Sequence, residues 1–350
     1  MRLIHWFSLL LVFFCVGCFN SENPKVTVKS VGPINEIPIS EVQTHNLSFK
    51  DSIIITPVDI WVEDSLLVMF TSDKQNFLRI YSLRSQKLIT TYGFIGRGRD
   101  EFLYPQVFKN SSQEYVITDR LRFCIINIDR LIVEDGYKPD FHNVDEGLKA
   151  IDYFATTDNY DEIIFSSGSS DDQLCFMNLK DNSTQSFNCF PKIKGVDVSN
   201  FISHTNVFKA SMTKIGDSLF LAYYYYPIID IVSLDTRKVR RIQHPVDYSF
   251  NHVKVIDNIN AVIDDPFLCN ISSYATENYF YTLYYGDEMK NVENMECKPQ
   301  ILKYNLDGDL ISRFGLDCIA TKFCVSDDDK NIYLLSYDED FNPAIVKVDL

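Results

Sequence analysis

Glycine and arginine alternate in residues 93–105, which read GFIGRGRDEFLYP. A Walker phosphate loop needs a lysine and a serine or threonine after its last glycine, and a dinucleotide-binding turn needs the spacing G-x-G-x-x-G. Neither pattern occurs in this segment. Glycines also provide positive φ angles and close backbone approach in tight turns. We therefore interpret the segment as a turn that connects two β-sheets.

The arginines in and near this segment are candidates for binding an anionic group. Guanidinium groups form paired hydrogen bonds with carboxylate, sulfate and phosphate. The acidic residues Asp100, Glu101 and Asp119 lie close to them in sequence, so internal neutralisation is the alternative interpretation. The candidate ligand-binding arginines are Arg97, Arg99, Arg120 and Arg122.

A tyrosine run, YYYYP at residues 223–227, also permits two interpretations. Alternate residues of a strand point to opposite faces, so about half of these rings should pack inside the protein. Tyr225 and Tyr226 lie nearest the proline and are expected to reach a loop-bearing surface. Exposed tyrosines there could stack on sugar rings or peptide side chains.

The N-terminus has the pattern of a bacterial lipoprotein signal. Residues 3–14 are apolar, too few to span a bilayer, and small residues precede Cys18. This predicts a signal peptide at residues 1–17, lipidation of Cys18, a tether at 18–24 and one folded domain at 25–350. An ordinary signal peptide or a buried helix is the alternative.

A lipid on Cys18 would make the membrane a partner of the chain. The protein is then expected in the cell envelope as an outer membrane lipoprotein, and either a periplasm-facing or a surface-facing position fits the sequence. The net charge of −15 excludes a nucleic-acid partner, because phosphate neutralisation requires a basic surface.

The remaining cysteines lack zinc-binding spacing. Cys175 and Cys189 lie symmetrically about Asn182, so we expect them to face each other across a hairpin, where a disulfide could form. The full set is Cys124, Cys175, Cys189, Cys269, Cys297, Cys318 and Cys324.

Short strands that end in similar four-residue phrases recur along the chain. Units of about 45–70 residues with four strands each are typical of propeller blades, which must stack around an axis to bury both faces. We therefore predict an all-β, six-bladed β-propeller. The phrases are IYSL, IINI, FMNL, IVSL, KYNL and KVDL, ending at residues 83, 128, 179, 234, 306 and 350.

The sixth phrase ends at Leu350, which leaves the last blade without a fourth strand. An open sheet edge exposes unpaired backbone groups, so another segment should cover it. We predict that an N-terminal strand, from residues 25–31 or from 45–49, closes the last blade.

With these repeats, an N-terminal lipoprotein cysteine and the motif G-x-x-G-x-G-x-x-E-F-x-x-P, the chain resembles the TolB-like six-bladed propeller lipoproteins of Gram-negative bacteria. Proline and glycine are common in that family where this chain has Arg99 and Asp100. The resemblance implies an exported propeller. We expect a non-catalytic module, without a cofactor, that binds an envelope protein or a glycan.

Some six-bladed propellers are calcium-dependent lactonases or esterases, which gives the alternative function. Asp59, Asp152 and Asn270 are placed near the starts of inner strands and offer oxygen ligands for calcium. No glutamate or histidine completes this set, and the serines at 167 and 169 do not form a G-x-S-x-G elbow.

Overall fold

The computed structural model describes residues 24–49, 56–98, 100–120, 122–144, 151–167, 172–192, 207–245, 252–256, 260–338 and 340–350. Strands dominate these residues and form six blades around a central axis, each built on four antiparallel strands, and two of the blades carry a fifth strand. The predicted all-β, six-bladed propeller is confirmed.

Three short strands precede the blades: β1 (Val26–Ser30), β2 (Ile39–Glu41) and β3 (Thr44–Leu47). Blade 1 contains β4 (Pro57–Glu63), β5 (Leu66–Thr71), β6 (Gln75–Ser82) and β7 (Lys87–Phe94). Blade 2 contains β8 (Gln106–Ser111), β9 (Glu114–Asp119), β10 (Arg122–Asn127) and β11 (Phe141–Asn143). Blade 3 contains β12 (Ile151–Thr156), β13 (Glu162–Ser167), β14 (Leu174–Asn178) and β15 (Thr184–Phe187).

Blade 4 contains β16 (Ala210–Ile215), β17 (Ser218–Tyr223), β18 (Ile228–Ser233) and β19 (Val239–Gln243). A separate hairpin follows, β20 (His252–Ile256) and β21 (Asn260–Asp264). Blade 5 contains β22 (Phe267–Ala275), β23 (Tyr279–Glu288), β24 (Gln300–Asn305) and β25 (Leu310–Gly315). Blade 6 contains β26 (Ile319–Val325), β27 (Asn331–Tyr337) and β28 (Pro343–Asp349).

The helices that lie fully within the described residues are short: α1 (Ile128–Val133), α2 (Met289–Glu293) and a 3-10 turn (Ile34–Glu36). Among the described residues, no helix has the length and apolar character needed to cross a membrane.

The middle strands of the blades carry the core. In β5, Leu67, Val68 and Met69 are fully buried although neighbouring side chains point to opposite faces. This pattern arises because each blade is covered by another blade on both sides. Continuous apolar runs such as LLVMF therefore replace the alternation of a half-exposed strand.

The N-terminal segment runs along the outer edges of three blades. β3 pairs antiparallel with β28 and supplies the missing strand of blade 6, so the prediction of N-terminal closure is confirmed for the second of the two candidate stretches. The first stretch instead pairs parallel with β19 as a fifth strand of blade 4. β2 adds a fifth strand to blade 5 by pairing parallel with β25.

The expected cross-strand pair of cysteines in blade 3 is wrong. The hairpin exists, but Cys175 lies opposite Ser186, and Cys175 and Cys189 do not form a disulfide with each other. The turn is centred earlier than the sequence symmetry suggested, because Asn178 donates to the carbonyl of Ser183. This shift in register moves Cys189 beyond the end of the strand.

We predict that truncation after β1 and truncation after β3 have different effects. A chain that starts at residue 32 should lose only the fifth strand of blade 4. A chain that starts at residue 50 also loses β2, the fifth strand of blade 5, and exposes the edge of β28, and it should lose about 2–4 kcal/mol more of unfolding free energy. Chemical denaturation of the two truncated proteins measures this difference, and equal stabilities would show that β3 contributes little to closure.

Candidate functional site

Residues 93–105 form the connection from blade 1 to blade 2. Gly93 has a φ of +86°, and a Cβ atom there would lie 2.3 Å from the ring of Phe77. The Gly96 amide donates to the Phe102 carbonyl at 2.8 Å, and the Phe102 amide donates to Phe94 at 2.8 Å. These contacts explain the glycines as the requirements of a compact turn.

The acidic residue of the motif binds the turn from inside. The Gly98 amide donates to the Glu101 carboxylate at 2.7 Å. A Cβ atom on Gly96 would lie 2.0 Å from the same carboxylate. The spacing of glycines and glutamate therefore serves one internal hydrogen-bonded loop.

We call the side of the propeller with the turns between the second and third strands of each blade the upper side. Residues 93–105 and the turn between β9 and β10 meet there. Arg122 donates to the backbone carbonyl of Glu101, and its guanidinium lies 3.4 Å from Asp119 and 4.3 Å from the Phe141 ring centroid. Arg122 is thus held by internal contacts, as the alternative interpretation anticipated.

The other candidate arginines have different surroundings. Arg120 lies over the ring of Tyr104 at 4.4 Å, and Arg97 is exposed. Arg99 lies outside the described residues. The Asp100 carboxylate forms an ion pair with Lys138 at 2.8 Å, so its charge is not reserved for neutralising the arginines.

Exposed apolar side chains accompany these arginines. Phe94, Leu103 and Tyr104 are 49%, 39% and 62% exposed, and all three belong to the connection between blades 1 and 2. We refer to Phe94, Leu103, Tyr104, Arg97 and Arg120 as the rim patch. Apolar contact area beside cationic groups is suited to binding a partner that carries acidic groups.

Asp119 has a larger role than the sequence suggested. It is buried, and one carboxylate oxygen accepts hydrogen bonds from the backbone amides of Leu103 at 3.1 Å and Tyr104 at 2.9 Å. Its position as the acidic last residue of strand β9, whose centre is apolar, is the signal that could have identified it. Asp119 fixes the rim patch to blade 2.

The tyrosine run is mostly internal. Tyr226 was expected at the upper surface but is fully buried, with its ring 5.7 Å from that of Phe208. The chain segment before β16 covers it. Tyr225 is half-buried and lies edge-on to Tyr224 at 6.3 Å, and burial raises its pKa.

A cavity of about 290 Å³ lies in the central channel on the upper side. Its lining includes Tyr224 from the upper turn of blade 4 and residues of all six inner strands. Among the described residues, those of its lining that carry charge are Asp59, Lys109, Asp152, Lys209 and Lys322.

Two of the lysines in this cavity are paired across blades. Lys322 lies 2.9 Å from Asp59, and Lys109 lies 2.9 Å from Glu63. Burial lowers the pKa of Lys109, but Tyr274 and Glu63 outweigh that effect and raise it overall. The lysine therefore remains charged at neutral pH.

Asp152 and Lys209 form a looser couple. Burial raises the pKa of Asp152, and the Lys209 ammonium partly offsets this rise. Lys209 lies over the ring of Tyr224, 4.8 Å from its centroid.

The three residues proposed for calcium are not gathered as a set. Asp59 and Asp152 line the cavity, whereas Asn270 does not, and its amide donates to the carbonyls of Tyr223 and Tyr226 at 3.2 and 3.3 Å. Strand β22 begins earlier than the sequence suggested and is bulged around Asn270. In the part of the chain that the structure describes, no group of three or more His, Cys, Asp or Glu residues could hold a metal.

We predict that Asp119→Ala destabilises the protein by about 1–3 kcal/mol, because two backbone donors lose a buried acceptor. Asp119→Asn retains an acceptor oxygen and should cost less. Asp135→Ala, at an exposed position near α1, is the matched control and should leave the free energy of unfolding unchanged. Urea unfolding measures the free energy of unfolding of the three variants. A decrease for Asp119→Ala no larger than that for the control would contradict the prediction.

Comparison with known proteins agrees with this architecture. The chain is similar to a protein from Bacteroides fragilis NCTC 9343 that is named as exported, with 12% identity, a TM-score of 0.57 and coverage of 93% of this chain and 99% of that one. It is also similar to a member of the DUF4221 family from Bacteroides vulgatus, with 10% identity, a TM-score of 0.54 and coverage of 89% and 97%. At these identities the likeness shows the fold.

A search of curated proteins found no match. The family model described as TolB-like 6-blade propeller-like matches residues 39–328, which is most of the chain. The protein therefore belongs to the TolB-like six-bladed propeller family.

Proposed function

We propose that this protein is a lipoprotein of the cell envelope, held in the outer membrane through Cys18, that acts as a non-catalytic binding module for an envelope protein or a glycan. The observation that carries the proposal is the upper side, where the central cavity and the rim patch lie on one face. Rigid blades that support loops of this kind are a common arrangement for recognition.

The position of β1 supports an upper side that is free to bind. The Val239 amide donates to Lys25, so the chain enters the fold beside the turn that precedes β19. That turn lies on the lower side, because it joins the third and fourth strands of blade 4. A lipid at Cys18 would thus hold the protein from the side opposite the cavity.

The ionic contacts support binding over calcium-dependent hydrolysis. A calcium ion at Asp59 would have to displace the ammonium of Lys322, which lies 2.9 Å away. Lysine charges in the same cavity would repel the cation further. The calcium-dependent lactonase or esterase remains the alternative function, with Asp59 and Asp152 as its available oxygen ligands.

We predict that Cys18→Ala moves the protein out of the outer membrane fraction, because the thiol that would carry the lipid is absent. Cys15→Ala is the matched control and should leave the distribution unchanged. Membrane fractionation with mass measurement of the mature protein is the test. An unaltered mature mass for Cys18→Ala would contradict lipidation.

We predict that the double substitution Arg97→Gln and Arg120→Gln weakens binding of an acidic partner by about tenfold and reduces its salt dependence. Poly-glutamate and oligogalacturonate serve as probes of acidic protein and acidic glycan. The control, Arg84→Gln with Lys87→Gln, removes two exposed charges at the outer edge of blade 1. Equal weakening in both variants would indicate a general charge effect without a rim site.

A further inference from the structure

Two buried hydroxyl groups in the wall of the central cavity have no hydrogen-bond partner among the described residues. They belong to Tyr153 and Ser166, which are 5% and 4% exposed and both line the cavity. The two residues lie opposite each other on β12 and β13. A buried hydroxyl without a partner costs free energy, which a bound polar molecule can recover.

The adjacent wall presents an acid and a base that do not touch. Asp152 and Lys209 interact electrostatically, yet their charged groups are too far apart for a direct ion pair. A hydroxyl group suits such a gap, because it accepts a hydrogen bond from an ammonium and donates one to a carboxylate.

Aromatic surface lies next to this couple. The Tyr224 amide donates to the Lys209 carbonyl at 2.8 Å, which fixes the tyrosine beside the lysine. The rings of Phe190 and Phe208, also in the cavity wall, are 5.5 Å apart. The C–H faces of a sugar ring pack well on such surfaces, while its hydroxyls reach polar groups at the edge.

Charge balance favours a neutral ligand. Lys322 is paired with Asp59, and Lys109 with Glu63, so the remaining charges of the described lining are one acid and one base. A carboxylate-bearing ligand would gain Lys209 but would meet Asp152 as a like charge. A neutral hydroxylated ligand avoids this repulsion.

We propose that this cavity binds a neutral, hydroxyl-rich ligand of the size of one monosaccharide unit, with Asp152 and Lys209 as its polar contacts and Tyr224 as a stacking surface. The proposal rests on the proposed binding function and specifies its ligand. The cavity of about 290 Å³ is at the small end of ligand sites, which fits one sugar unit rather than a long chain.

The test uses the mature protein and ligand-observed NMR titration. The neutral probes are glucose, galactose, mannose and N-acetylglucosamine, free and as disaccharides, and the acidic probes are glucuronate and galacturonate. At least one neutral probe should bind with a Kd of about 1 mM or tighter, and its acidic counterpart about tenfold more weakly. Tighter binding of the disaccharide than of the free sugar would identify the end of a glycan as the source of the ligand. Tighter binding of the free sugar would identify a free monosaccharide.

Variants locate the site. Lys209→Met and Asp152→Asn should each weaken binding of the neutral probe by about tenfold, since each removes a charged hydrogen-bond partner. The matched controls, Lys180→Met and Asp181→Asn, alter exposed residues on the lower turn of blade 3 and should bind as the unaltered protein does. Thermal unfolding verifies that all four variants fold.

Two results would overturn the proposal: no neutral probe binds, or the cavity variants bind as tightly as their controls. If the neutral probes fail while poly-glutamate or oligogalacturonate binds through the rim patch, the sugar site is rejected and the binding function stands. If no probe of either kind binds, both are rejected.

Discussion

The pairing of β3 with β28 is the contact on which the arrangement at the centre of the propeller depends. It completes blade 6 and thereby closes the ring between blade 6 and blade 1. Lys322 and Asp59 face each other across this closure at 2.9 Å, one from each of the two blades. An open blade 6 would loosen the strand that presents Lys322, so closure at the outer edge fixes an ion pair at the axis.

The polar groups around the axis are organised as contacts between blades. Lys109 of blade 2 contacts Glu63 of blade 1 and the Tyr274 hydroxyl of blade 5, each at 2.9 Å. Lys109 and Tyr274 line both the upper cavity and a lower one of about 880 Å³, so their hydrogen bond lies between the two. Removing one member of such a buried network leaves an uncompensated polar or charged group. These residues are therefore poor candidates for giving up their present partners in order to contact a ligand. Asp152 and Lys209, which make no direct pair, are better ones.

The repeat pattern predicted the blades because each blade is a local unit, with strands joined by short turns. The missing fourth strand of blade 6 likewise follows from where the last phrase ends. The fifth strands β1 and β2 were not predictable, since a parallel pairing between distant segments leaves no local pattern. Tyr226 and Asn270 were misplaced for a related reason: burial by a connecting segment and a bulge in β22 both depend on tertiary contacts.

The site itself was predicted only in part. Asp59 and Asp152 line the cavity as their positions near the starts of inner strands suggested, but the lysines beside them come from blades 2, 4 and 6 and change the chemistry of the site. The glycine-rich motif at residues 93–105 contributes to the candidate site indirectly. Glu101 and Asp119 hold the connection between blades 1 and 2 from inside, and this leaves Phe94, Leu103 and Tyr104 outside. The glycines and acids therefore support the rim patch, and in the binding function that we propose, contact with a partner is made by the residues between them.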